Sequence, residues 1–170
     1  MAKKEPKQLQ DLFEDALKDI YFAEKKILTA LPKMAKAAQN EQLKAAFEKH
    51  QAETEEQVTR LEQVFKILGK EAKGKNCPAI VGIIDEGKEI MDEYKGSPAL
   101  DAGLVSAAQS VEHYEICRYG TLCTWAEELG INDAKQLLGQ TLNEEENTDQ
   151  ALSELAETVV NQEAQREAAE

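Results

Sequence analysis

Residues 105–129 read VSAAQSVEHYEICRYGTLCTWAEEL. Val105, Ala108, Glu112, Glu115, Tyr119, Leu122, Ala126 and Leu129 recur at alternating steps of three and four. That spacing puts them on one face of a long helix. The face is apolar at both ends and acidic in the middle. A carboxylate buried alone is costly, so such groups are normally paired, protonated or bound to a metal.

Three other stretches follow the same plan. One carries Phe13, Leu17, Ile20, Glu24, Ile27, Leu31 and Met34. Another carries Leu43, Phe47, His50, Thr54, Gln57, Leu61, Val64 and Leu68, with Glu53 beside His50. The last carries Ala134, Leu138, Thr141, Glu145, Thr148, Leu152, Leu155 and Val159. Four amphipathic helices with matching stripes predict an all-α, four-helix bundle.

The breaks between stripes set the order of the bundle. The first helix is expected over about residues 8–39, with Pro32 bending it or removing one backbone hydrogen bond. Asn40 can cap the second helix, with Glu41 in its first turn. So short a connection makes the two helices an antiparallel hairpin. The second helix should run to about Leu68 and stop at Gly69. The loop GKEAKGKNCP follows, and Pro78 opens a shorter helix with Ile80, Ile83, Ile84, Gly87, Ile90 and Met91 on its apolar side. This piece, ending near Lys95–Gly96, fits a crossover between two hairpins. Ser97 is then expected to cap the third long helix, with Pro98 in its first position and Asp101 near its positive end. Gly130 ends that helix, and Asn132 with Asp133 starts the fourth. The pattern fades after Val160. Residues 1–160 therefore read as one domain and 161–170 as a flexible polar tail.

Composition agrees with this reading. Of 170 residues, 42% are apolar and only 5% aromatic, which suits an aliphatic helical interior. A net charge of −13 argues against a nucleic-acid backbone as partner. Cys77, Cys117 and Cys123 form no disulfide framework, which fits a reducing cytoplasm. The opening MAKKEPKQ lacks the apolar core of a signal peptide, and no apolar run is long enough to span a membrane.

Depth gives the strongest functional expectation. A helix of about 30 residues is ~45 Å long, and the midpoints fall near residues 24, 54, 114 and 146. Antiparallel neighbours meet at their midpoints, so the inward acids should converge on one layer. Glu112 and Glu115, three apart, point to one side of their helix, and so do His50 and Glu53 on theirs. Iron and manganese accept carboxylate oxygens together with imidazole. The expected metal ligands are Glu24, Glu53, Glu112, Glu115 and Glu145. His50 and Asp149 are second in rank, His50 because it lies a turn from the layer centre and Asp149 because it reaches in only from the stripe's edge. Tyr119, one turn from Glu115, can donate a hydrogen bond to the layer or act as a redox neighbour, though packing is the commoner role for a tyrosine so placed. His113 faces away from the stripe.

The strings LFEDALKDIYFAEKKILTALPKMA, ETEEQVTRLEQVF, AAQSVEHYEICRYGTL and QTLNEEENTDQALSELA resemble the YciE/YciF family of ferritin-like bacterial stress proteins. The resemblance spans nearly the whole chain. It implies a ferritin-like bundle with an extra short helix in the crossover, a homodimer and a di-metal centre. The EHYE run resembles the paired-glutamate helix of rubrerythrins. One departure stands out. Ferritins and rubrerythrins carry Glu-x-x-His on the second and fourth helices, whereas here Glu56 follows Glu53 and Thr148 follows Glu145. His50 lies on the other side of Glu53, and Asp149 is the stand-in on the fourth helix. So few nitrogen ligands favour iron or manganese over zinc. The function expected from all this is a stress protein binding two such ions and oxidising Fe(II) with O₂ or peroxide. The alternative is a non-enzymatic bundle with a structural or vestigial metal.

Overall fold

The computed structural model describes residues 6–166. Helix α1 (Leu9–Ala37) and helix α2 (Glu41–Ile67) form the first hairpin, and α4 (Leu100–Glu128) and α5 (Asn132–Leu155) form the second. The crossover helix α3 (Pro78–Glu93) lies between them. A π-helical turn, Ala156–Val160, leads into a last short helix α6 (Asn161–Ala164). The described residues contain no strand.

The long helices pack in the cyclic order α1, α2, α5, α4, and α3 lies on α4 and α1. The junction of α1 and α2 meets the start of α4, so α2 and α4 run parallel on a diagonal. Every neighbouring pair of long helices is therefore antiparallel. This is the expected ferritin-like four-helix bundle with a short helix in the crossover.

Most boundaries fall where capping chemistry puts them. Asn40 Oδ1 accepts from the amides of Gln42 and Leu43 at 2.9 and 3.2 Å, satisfying donors that the first turn leaves free. Gly69 and Gly130 take positive φ just past α2 and α4, where a side chain would be strained. Pro78 occupies the first turn of α3. Pro32 sits inside a continuous α1. Of the expected tail, Asn161–Ala164 is helical, and Glu163 accepts from the Asn40 side chain at 3.0 Å. Residues 167–170 lie outside the described residues.

The start of α4 corrects the expectation. Ser97 does not cap the helix. Its Oγ accepts from Ala99 N at 3.1 Å and its carbonyl from Leu100 N at 3.1 Å, so Pro98 and Ala99 form a turn before the helix begins at Leu100. Asp101 is not a free first-turn acid either. It is buried, and its two oxygens accept from Gln39 N at 2.9 Å and Asn40 N at 2.7 Å. These amides sit at the bend between α1 and α2, where no helical carbonyl can reach them. One carboxylate thus ties the second hairpin to the bend of the first.

The core is aliphatic with a few large rings, including Phe13, Phe47, Phe65 and Tyr119, all buried. Gly87 lets α3 lie close on α4, since a Cβ there would come within 3.3 Å of the Ala107 methyl.

Candidate metal centre

Helical periodicity carries polar groups into the middle of this core from all four long helices. Glu24 comes from α1, His50 from α2, Glu112 and Glu115 from α4, and Glu145 from α5, and all five are buried. His50, Glu112, Glu115 and Glu145 each offer a ligand atom within 4.8 Å of the others. The Nε2 of His50 stands 3.2 Å from a Glu112 oxygen. The alignment is poor, and neither ring nitrogen has a hydrogen-bond partner.

Glu24 completes the layer from the first helix. Its carboxylate accepts a short hydrogen bond from the Tyr119 hydroxyl and faces Glu115. Glu112 likewise faces Glu145. Acid against acid is favourable only with a shared proton or a cation between them. Among the described residues ten buried side-chain atoms lack any partner, and all but Gln57 Oε1 belong to His50, Glu24, Glu53, Glu112, Glu115 and Glu145. Native interiors hold few such atoms, and each calls for an explanation.

The electrostatics say the same. Burial raises Glu24 to about 7, opposed by the Tyr119 hydrogen bond. Burial raises Glu112 to about 8, with the charges of Glu24, Asp149 and Glu53 adding to it. Glu115 and Glu145 are held well above the usual carboxylate range by burial and by their acidic neighbours. Burial lowers His50 to about 4, which leaves it neutral with a lone pair to offer. The donor set is thus oxygen-rich with one imidazole, the composition that suits iron or manganese.

The seven sequence-selected residues do not all meet. Glu53 stands at the edge, its side chain 30% exposed, with one oxygen 2.7 Å from Lys49 Nζ and the other shielded without a partner. Asp149 turns aside, accepting from Gln109 Nε2 at 3.0 Å and pairing with His113 Nε2 at 3.2 Å. It sits one turn beyond Glu145, on the flank of α5 that faces the outer side of α4. His50, ranked second from sequence, is in the tight group. His113 is largely exposed, as its position off the stripe requires.

One neighbour escaped the sequence reading. Arg60 makes two bonds to Glu144 at 2.9 Å and one to Thr141 at 2.6 Å, and Gln57 adds a third contact to Glu144 at 3.1 Å. This half-buried cation lies close enough to favour ionised Glu24. The only signal was an Arg one turn after Gln57, indistinguishable in sequence from a surface residue.

Residues 8–165 match the family described as Domain of unknown function (DUF892), and the chain belongs to that family. It is 43% identical over 163 residues to Protein YciF of Escherichia coli (strain K12), covering 95% of this chain and 98% of that protein. The crystal structure of the E. coli stress protein YciF superposes with a TM-score of 0.87, covering 92% of this chain and 99% of that one. YcfI of Rhodopseudomonas palustris, described as a candidate structural protein, is 46% identical with a TM-score of 0.84 over 90% of this chain and 98% of its own. The resemblance read from the four sequence strings is therefore real along the chain. No helix among the described residues is long and apolar enough to cross a membrane.

Proposed function

We propose that this member of the family holds two iron or manganese ions in the carboxylate layer and serves as a stress protein that oxidises Fe(II). The observation that carries the reading is the cluster of partnerless buried oxygens and imidazole nitrogens at one depth of the core. His50, Glu112, Glu115 and Glu145 would hold the innermost ion, and Glu24 and Glu53 would complete the shell of a second. Two bound Fe(II) ions would supply the two electrons that reduce O₂ to peroxide or peroxide to water, each ion giving one. The residues themselves bind and orient. Tyr119 fixes one oxygen of Glu24 and leaves the other free. The aliphatic layers above and below shield the site along the bundle axis. We also take the protein to be cytoplasmic and homodimeric. Its three free thiols agree with the first, and light scattering of the purified protein tests the second.

The test has two stages. Protein purified without chelator should carry close to two equivalents of iron or manganese, and a metal-free preparation would remove the centre from the account. Stopped-flow mixing with Fe(II) and peroxide should then show oxidation faster than in buffer, lost in Glu112→Ala. Metal binding without faster oxidation would favour the second reading, a structural ion. One observation supports that second reading: the positions where catalytic relatives carry their two histidines hold Glu56 and Thr148 here.

A further inference from the structure

A cavity of about 350 Å³ lies between α1 and α3, with α2, α4 and α5 closing its far side. Interiors of proteins are close-packed and hold few voids larger than a water molecule. Ligand pockets begin at about 300 Å³, so this space has the size of a binding site. Its wall is mostly hydrocarbon, including Ile27, Leu31, Phe47, Ile84, Met91 and Val111. Such a wall is a poor path for a hydrated cation, which would need oxygen ligands along the way. It is also far larger than O₂ or peroxide requires.

The polar residues of the cavity separate by depth. Its inner end is formed by buried His50 and Glu112. Its solvent side carries four exposed lysines, Lys26, Lys33, Lys49 and Lys88. Two acids, Glu53 and Asp85, share the cavity with them. Lys49 is paired with Glu53, and Lys26 lies over the Phe22 ring. Lys33 and Lys88 form no ion pair among the described residues. On a chain of net charge −13 this is a local basic rim around an apolar hole. With four lysines against two acids the rim keeps an excess of positive charge, which suits an anionic head group over a neutral or cationic one.

We propose that the cavity binds a single fatty acyl chain, hydrocarbon inside and carboxylate at the lysine rim. The occupant is a fatty-acid anion, seated between the crossover helix and the bundle. This site goes beyond the metal reading and stands whether or not an ion is bound, because its affinity comes from the apolar wall and the rim.

Calorimetric titration of the purified protein with dodecanoate, below its micellar range, tests the site. One dodecanoate should bind per chain at micromolar concentration. Dodecanol should bind about tenfold more weakly, and dodecyltrimethylammonium more weakly still. Lys33→Glu with Lys88→Glu, both on the surface, should weaken dodecanoate about tenfold and leave dodecanol unchanged. Ala46→Phe, from the half-buried edge of the cavity, should abolish binding of both. Circular dichroism checks its folding, and the lysine pair decides the matter if that variant fails to fold. Absence of saturable dodecanoate binding overturns the proposal. So does equal binding of the cationic amphiphile, which would mean unspecific adsorption. Indifference to the lysine changes would place the carboxylate elsewhere and equally defeat it.

Discussion

Glu112 shows how a single residue sets the chemistry of this core. It shares a layer with three other buried carboxyls, and burial raises it to about 8. A carboxyl raised above its unfolded value of 4.5 adds stability that is full below that value and is lost as pH rises through the folded one. Glu24, raised to about 7, acts in the same direction. His50, lowered from 6.5 to about 4, acts the other way: its contribution is present above 6.5 and lost as pH falls through 4. The chelated protein should therefore lose urea resistance as pH rises from about 4.5 to about 8, with the His50 gain offsetting part of that loss below 6.5. Glu112→Gln should flatten that loss and raise metal-free stability at the upper pH by on the order of 1–3 kcal/mol. An unchanged slope in the variant would mean that Glu112 is not held neutral. Tyr119→Phe removes the one donor to Glu24 and should cost about 1–3 kcal/mol by the same denaturation measurement. If the variant is as stable as the parent, that hydrogen bond adds nothing to the fold.

At the scale of elements, the bundle depends on how its two hairpins are joined. The Asn40 cap starts α2 and the glycines at positions 69 and 130 end α2 and α4 by local rules, and each was legible from neighbouring residue types. Asp101 was not. Its partners are 61 and 62 residues away in the chain, so no local pattern points to them. Asp101→Ala would orphan two amides at the bend between α1 and α2. It should destabilise the protein by on the order of 2 kcal/mol, while Asp101→Asn, which keeps one acceptor oxygen, should cost less. Hydrogen exchange at Gln39 and Asn40 should quicken in the Ala variant, and unchanged protection there would contradict the assigned role. The crossover helix is a second case. Its apolar side was readable, but only its seat on α1 and α4, with Gly87 against Ala107, encloses the lysine-rimmed cavity.

For the whole molecule, an ion bound in the proposed carboxylate layer would couple folding to ion binding. Nine partnerless acid and imidazole atoms weaken the apo bundle, and an ion that satisfies them binds the folded state alone. The melting temperature should then climb with Mn(II) concentration, by an amount equivalent to about 2.7 kcal/mol at a hundredfold excess over Kd. Glu115→Ala should abolish the rise. A melting temperature indifferent to Mn(II) in the parent protein would leave the buried acids without their counterion.

The chain order alone determined the helices, their inward faces and the common depth of their acids. A repeat of 3.6 residues fixes which side chains share a face, and short connections fix which helices run antiparallel. Tertiary packing decided which of those acids come within reach of one another. It drew His50 into the group, left Glu53 at the edge and turned Asp149 toward Gln109 and His113. The reason is geometric. A helix's own period says which way a side chain leaves the axis. The distance across to the next helix, and the rotation of each about its axis, depend on every side chain packed between them.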